Sequence, residues 1–218
     1  MKAQRDPISK QLEMAILVGN IKPRERLVEM ELSSRFKGSR FMIRKAIQEL
    51  ARKGLVEMIP HKGARVVDPP LEQIEDMFTV RLNLELLAAD LMIKNLTREK
   101  LNEIKRVQKE YRAAVLASDF EEMIAKNEAF HQTLYSAMKN DFLHEVLDKV
   151  KNVTFSVRYN TYFLPGRRES STKDHEAMID ALARRDAAKL RAVVESSLKF
   201  PMTVFFARKT SPSNGPGT

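Results

Sequence analysis

Residues 21–67 read IKPRERLVEMELSSRFKGSRFMIRKAIQELARKGLVEMIPHKGARVV. Within them, 30–36 is a short helical segment: Leu32 and Phe36 share a face at i, i+4, and Glu29 and Glu31 suit the positive end of a helix dipole. Lys37-Gly38 breaks the pattern, with Gly supplying the turn, and Ser39 is a natural N-cap for the next helix. Over 40–53, Ile43, Ala46, Ile47, Leu50 and Ala51 make one apolar stripe at helical spacing. Arg40, Arg44, Lys45 and Gln48 fall on or near the opposite face. Arg52-Lys53 close the helix where cations suit its negative end, and Gly54 fits the cap. Runs at 55–60 and 64–67 read as two strands joined across His61-Lys62-Gly63. Helix, turn, basic helix and basic hairpin make a winged helix-turn-helix. Taken singly each charge is more often a solvated surface group, but together the cations recur at the three places where such a unit meets DNA.

Charge is distributed to match. The chain has 218 residues and a formal net charge of +9. Residues 1–68 hold 15 Lys and Arg against 8 Asp and Glu, whereas 69–218 hold 23 against 21, so the basic excess sits on the smaller N-terminal part. That is an electrostatic footprint for phosphates. The chain has no cysteine, which excludes disulfides, thiolate catalysis and Cys-ligated zinc. No apolar run approaches a membrane span, and residues 1–16 lack a signal peptide's apolar core, so the expectation is a cytoplasmic protein with no membrane partner.

A first amphipathic helix at 8–18 carries Ile8, Leu12, Ala15 and Ile16 on one face and should pack under the DNA-binding pair. Asp68-Pro69-Pro70 ends the second strand and stiffens a connector. This divides the chain into a winged helix at 1–68, a linker at 69–70, an all-helical domain at 71–208 and a tail at 209–218 with nothing to bury. The fold class is mainly α, a winged helix-turn-helix followed by an antiparallel six-helix bundle. The six helices are expected at 71–95, at 97–117 capped by Thr97, at 118–139 with Ser118 and Glu121 as a capping box, at 141–162, at 171–184, and at 186–208 capped by Asp186 with Pro201 as a kink.

These residues resemble the GntR family of bacterial transcriptional regulators, in its FadR-type branch with a helical FCD ligand-binding domain. The likeness rests on Pro23, Arg26-Leu27, Glu29, Leu32, Ser39-Arg40, Arg44, Ala46, Leu50, Gly54-Leu55-Val56, Pro60 and Gly63-Ala64. Arg24 and Lys37 stand where that family usually has Gly, and Met42 replaces a frequent Pro. The resemblance implies that Arg40 and Arg44 are base and backbone contacts, since a guanidinium fork can pair with guanine O6 and N7. It places Gly63 at a wing tip in the minor groove and leaves Ser39, Lys45, Arg52 and Lys62 to position phosphates. In the second domain Arg81 and Glu85, the segment 127–131 and the segment 174–176 match the branch, and six helices match its shorter, VanR-like group.

The resemblance also raises a metal. The positions that hold a divalent ion such as zinc or nickel in many relatives are here Asn127, His131, His175 and Ser197. Two imidazoles and an amide make a site without compensating negative charge. The alternative is that Asn127, His131 and His175 are polar groups lining an effector cavity. Arg81 is the cation suited to an effector carboxylate, or else a surface ion pair with Glu85. Arg158, with Tyr159 and Tyr162, is a further candidate for that cavity. The function expected is a ligand-responsive regulator, a homodimer that binds a palindromic double-stranded operator, represses, and takes a small organic acid. The alternatives are a metal-dependent enzyme on the bundle, opposed by the lack of a base, nucleophile and oxyanion donor together, and a sequence-neutral architectural DNA-binding protein.

Overall fold

Capping chemistry and steric limits fix where each element starts and stops. The computed structural model describes residues 7–154 and 166–210. In chain order the elements are α1 (Ile8–Leu17), β1 (Arg26–Leu27), α2 (Glu29–Phe36), α3 (Arg40–Arg52), β2 (Val56–Ile59), β3 (Gly63–Val66), α4 (Leu71–Asn95), α5 (Arg98–Ala117), α6 (Phe120–Ser136), α7 (Asp141–Val153), α8 (Arg167–Ala183) and α9 (Ala187–Thr210). Ser39 caps α3 by accepting from the Met42 amide at 3.2 Å. Thr97 caps α5 through the Lys100 amide at 3.2 Å, and Asp186 caps α9 through the Lys189 amide at 2.9 Å. Each satisfies an orphan N–H of a first turn.

Several ends differ from the sequence expectation. The left-handed residue after α2 is Lys37, at φ 52°, not Gly38. Gly38 lies close to α1 instead: a Cβ there would come 2.0 Å from Ile8 Cδ1, so that side-chain end would have to move. Ser118 does not open α6. It closes α5 in a left-handed conformation, and the α6 cap is Asp119, which accepts from the Glu122 amide at 3.0 Å. α6 stops at Ser136 instead of 139, whereas α7 opens at Asp141 as expected, capped by Asn140. α8 begins a turn early, at Arg167, because left-handed Gly166 precedes it. The part of the fourth helix expected at 155–162 and the tail from 211 lie outside the described residues.

The wing is a three-stranded antiparallel sheet of order β1-β3-β2. Arg65 faces both Arg26 and Glu57 across its two neighbours, and its guanidinium donates to the Glu57 carboxylate. β1 has no counterpart in the sequence expectation; two residues carry no alternation long enough to detect.

Two apolar cores result. One gathers Ile74, Phe78, Ala88, Met92, Phe130, Leu147, Met178 and Leu190 from α4 to α9. The other holds the apolar stripes of α1 and α3 with Leu55, Ala64 and Val66 of the wing, and it also takes in Tyr111, Ala114, Met123 and Ile124 of α5 and α6. The winged helix is therefore packed on the helical half through apolar contact. Gly54, at φ +80°, ends α3 against α7: a Cβ there would meet Val153 Cγ2 at 3.0 Å and the Lys149 carbonyl at 3.6 Å. Tyr111 is fully buried. Replacing it with alanine should cost about 3–5 kcal/mol in a urea unfolding titration; a loss below about 1 kcal/mol would show that the two halves do not depend on it.

Candidate nucleic-acid interface and effector cavity

The end of α3 nearest the turn is exposed along Ser39, Arg40, Arg44 and Lys45, and so are Lys62 and Gly63 of the wing. His61, at φ 61°, and Gly63, at φ +90°, make the tight wing tip. Arg26 Nη2 donates to the Lys62 carbonyl at 2.9 Å and ties β1 to that tip. Arg44 is not free. Its Nε and Nη2 donate to the two oxygens of Glu29 at 2.7 and 2.8 Å. This bond to Arg44 holds the Glu29 carboxyl below its ordinary range. The fork is thereby held to one orientation while staying largely accessible, with 62% of the side chain exposed.

Two further side chains on this surface escaped sequence reasoning. Phe41 is 76% exposed and Met42 50%, flanked by Arg40 and Arg44 in the first turn of α3. Large apolar groups off the stripe were the available signal, and such groups suit contact with thymine methyls. Arg52 stands apart from the other six expected contacts. It lies at the far end of α3 on a cleft of about 1030 Å3 that α1 and α3 form with α6 and α7. Its neighbour Lys53 pairs with Glu13 at 2.6 Å.

The second site is a cavity of about 80 Å3 inside the helical half. α4 contributes Phe78, Arg81 and Glu85; α6 contributes Asn127 and His131; α7 contributes Lys151. α8 adds Arg167, Ser171, Asp174, His175 and Met178, and α9 adds Ser197, Leu198 and Pro201. Arg81, Asn127, His131, His175 and Ser197, which are far apart in sequence, thus share one enclosure. Arg158, Tyr159 and Tyr162 lie outside the described residues.

Arg81 and Glu85 are both an ion pair and cavity wall. Arg81 Nε donates to Glu85 at 2.8 Å, with 15% and 6% of the two side chains exposed. The surface alternative is thereby corrected: α4 turns this i, i+4 pair inward. The Asp174 carboxyl also lines the cavity rather than capping a solvated helix end, and burial raises its pKa against the lowering effect of Arg167, 3.8 Å away.

His175 Nδ1 meets Gln108 Oε1 at 2.8 Å. That acceptor places the proton on Nδ1 and leaves the lone pair on Nε2. Its ring stacks on Phe130 at 3.8 Å, and Tyr111 lies 4.9 Å away on another side. The ring of His131 stands edge-on, 5.2 Å from that of His175. Burial, then the positive charge of Arg167, lowers His175 to about 3. Burial, then Lys151 and His175, holds His131 well below its usual value.

A divalent ion does not fit these residues. Asn127 offers a neutral amide where a carboxylate would balance charge, and the Ser197 hydroxyl donates to its own helix at Val194 O (2.9 Å). Arg81, Lys151 and Arg167 surround the two imidazoles with positive charge. No group of three or more metal-ligating His, Cys, Asp or Glu occurs among the described residues.

Lys151, Gln108 and Ser171 were missed. For the first two a signal existed: Lys151 continues the Leu143 and Leu147 stripe of α7 at four-residue spacing, and Gln108 sits on the Ile104, Val107 and Tyr111 face of α5. A polar residue on an apolar stripe is an invitation to look for a buried partner.

Residues 4–66 match the pattern of the bacterial regulatory proteins of the gntR family, and residues 76–200 match the FCD domain. The chain belongs to the GntR family of transcriptional regulators, with a helix-turn-helix DNA-binding part and an FCD domain. It is 27% identical over 182 residues to YdhC, an HTH-type transcriptional regulator of Bacillus subtilis (strain 168), covering 82% of this chain and 81% of that one. It is 23% identical over 179 residues to the HTH-type transcriptional repressor RspR of Escherichia coli (strain K12), covering 82% and 78%. The E. coli McbR/YncC structure shares the fold, with a TM-score of 0.78 at 20% identity over 93% of this chain and 96% of that chain. The matched families are regulators, and the enzyme alternative is set aside. No helix among the described residues is long and apolar enough to cross a membrane.

The buried imidazoles make stability depend on pH. Both are neutral near pH 7 when folded, whereas unfolded they titrate near the usual 6.5. Below that value the unfolded chain binds protons that the folded chain refuses, so stability is full above it and falls as pH drops, for His175 down to about 3. Unfolding free energies from urea titrations should fall between about pH 7.5 and pH 5, by on the order of 1 kcal/mol per pH unit for each imidazole. His175→Gln should flatten part of that slope; a flat wild-type profile would contradict the burial.

Proposed function

We propose that the protein is a repressor that binds a palindromic operator as a homodimer and is controlled by a small organic acid in the helical cavity. In this reading residues 1–68 are the DNA-binding domain, 69–70 the linker and 71–208 the effector and dimerisation domain, of the shorter VanR-like group. The observation that carries it is the pairing of two features in one chain: an exposed basic end of α3 beside a basic wing, and a cavity with Arg81 and Lys151 in its wall. Arg40 and Arg44 read bases, Ser39, Lys45 and Lys62 hold phosphates, and Gly63 lets the wing backbone approach the minor groove. Arg52 is the weakest member of the set, given its place on the cleft.

A second copy is the partner that α4 suits. Met77, Val80, Leu84, Leu87 and Leu91 recur at alternating spacings of three and four, the seam of a helix pair. Val80 and Leu87 are 52% and 49% exposed. A two-fold axis along such a seam would present two recognition helices to two half-sites, as a palindrome requires. The organic acid is supported by the cationic lining, which supplies fork and ammonium donors for a carboxylate. It acts only if it binds the DNA-competent and incompetent arrangements with different affinity.

Two measurements test this reading. In a mobility-shift titration with competitor DNA, the wild type should prefer its operator by roughly a thousandfold, whereas an architectural protein would show little preference. Arg44→Ala should weaken operator binding about tenfold to a hundredfold; unchanged affinity would remove Arg44 from the interface. Leu87→Arg should turn the dimer into a monomer in sedimentation, and a wild type that is already monomeric would overturn the symmetry.

A further inference from the structure

Among the described residues Lys151 is the only lysine that is buried, and its side chain is 3% exposed. An ammonium withdrawn from water is costly unless anions and acceptors surround it. Its partners among the described residues are incomplete. Nζ lies 3.2 Å from Glu128 and 3.9 Å from Asp148, whose side chains are 30% and 33% exposed. Both carboxylates also accept from Gln132, at 3.2 Å for Glu128 and at 2.9 and 3.0 Å for Asp148. The Tyr135 ring lies 5.0 Å from Nζ. An ammonium has three donors, and one close carboxylate contact leaves capacity for another anion.

The rest of the cavity points the same way. Arg81 uses Nε for Glu85 and makes a long 3.5 Å contact from Nη1 to Thr154, so most of its five donors remain uncommitted in these contacts. His131 Nδ1 is sealed from water and has no hydrogen-bond partner among the described residues. The cavity wall thus sets Arg81, Lys151 and Arg167 against Glu85 and Asp174, beside a neutral imidazole on α6 whose Nδ1 is unpartnered among the described residues.

We propose that this cavity is a metal-free anion site, in which the Lys151 ammonium and Arg81 bind the effector carboxylate directly and Lys151 takes the electrostatic place of a divalent ion. The proposal rests on reading the cavity as the effector site and assigns the ligand's chemistry there. It also gives the ligand a mechanical outlet. Lys151 lies between Lys149 and Val153, the α7 residues that face Gly54 at the end of α3. Glu128 and Asp148, which an incoming carboxylate would displace from Lys151, line the cleft opposite Arg52 and Lys53.

The test restores the metal donors with and without the lysine. Full-length protein carrying Asn127→Asp and Ser197→His is titrated with zinc by calorimetry, alone and combined with Lys151→Met. Removal of the ammonium should tighten zinc binding by about a hundredfold or more, and wild-type protein purified without chelator should carry no stoichiometric zinc or nickel. Equal zinc affinity in the two variants, or a metal-loaded wild type, would overturn the proposal. Acetate, succinate and citrate are then tested with chelator present: at least one should raise the melting temperature of the wild type, and Lys151→Met should abolish the shift. Protection of both forms alike removes Lys151 from the site while leaving the effector reading intact. Absence of protection in the wild type brings both down. Lys151→Gln replaces Lys151→Met in each arm if circular dichroism shows that the methionine variant does not fold.

Discussion

Tyr111 is where the structure holds together. Its ring belongs to the core of the winged helix yet lies 4.9 Å from His175 in the wall of the cavity. A well-packed interior transmits displacement because it has no free volume to absorb it. The apolar contact of α5 and α6 with α1 and the sheet therefore does two things. It stabilises the small N-terminal part, which alone buries little, and it makes the position of α3 depend on that of α5, α6 and α7.

The electrostatics of the two sites follow opposite logic. On the proposed DNA surface the cations are exposed, and Arg44 is held by a carboxylate that orients it without burying it. Phosphates attract such a surface at long range, and base edges select among sequences at contact. In the cavity Lys151 is buried and Arg81 and Arg167 are largely withdrawn from solvent, so each charge needs an opposite charge or a ligand. Neutral imidazoles are the consequence: burial and neighbouring positive charge remove their protons. On the reading proposed above, Arg81 and Lys151 make such a site suit an anion.

Much of this was legible in the sequence wherever a local rule decides the outcome. Ser39, Thr97 and Asp186 announce their helices because a first turn needs an acceptor. The winged helix could be read from Ile43, Ile47 and Leu50 against Arg40 and Arg44 because helical periodicity separates the two faces. The failures are tertiary. Lys37 takes the left-handed turn while Gly38 lies against Ile8 of α1, a contact no local pattern records. Lys151 falls on the Leu143 and Leu147 stripe of α7, but what its ammonium meets there emerges only when α7 is packed against α4 and α6. Whether Arg81 and Glu85 face solvent or cavity depended on how α4 is rotated. Sequence alone leaves that open.

The central claim is that cavity and recognition helix are two ends of one packed object. The direct measurement is operator affinity as a function of a carboxylate that binds the cavity, together with affinity for that carboxylate as a function of operator. Linkage requires the two ligands to change each other's affinity by the same factor, on the order of fivefold or more for a working switch. A reciprocal change of that size is the predicted result. Full independence of the two binding events would contradict the account.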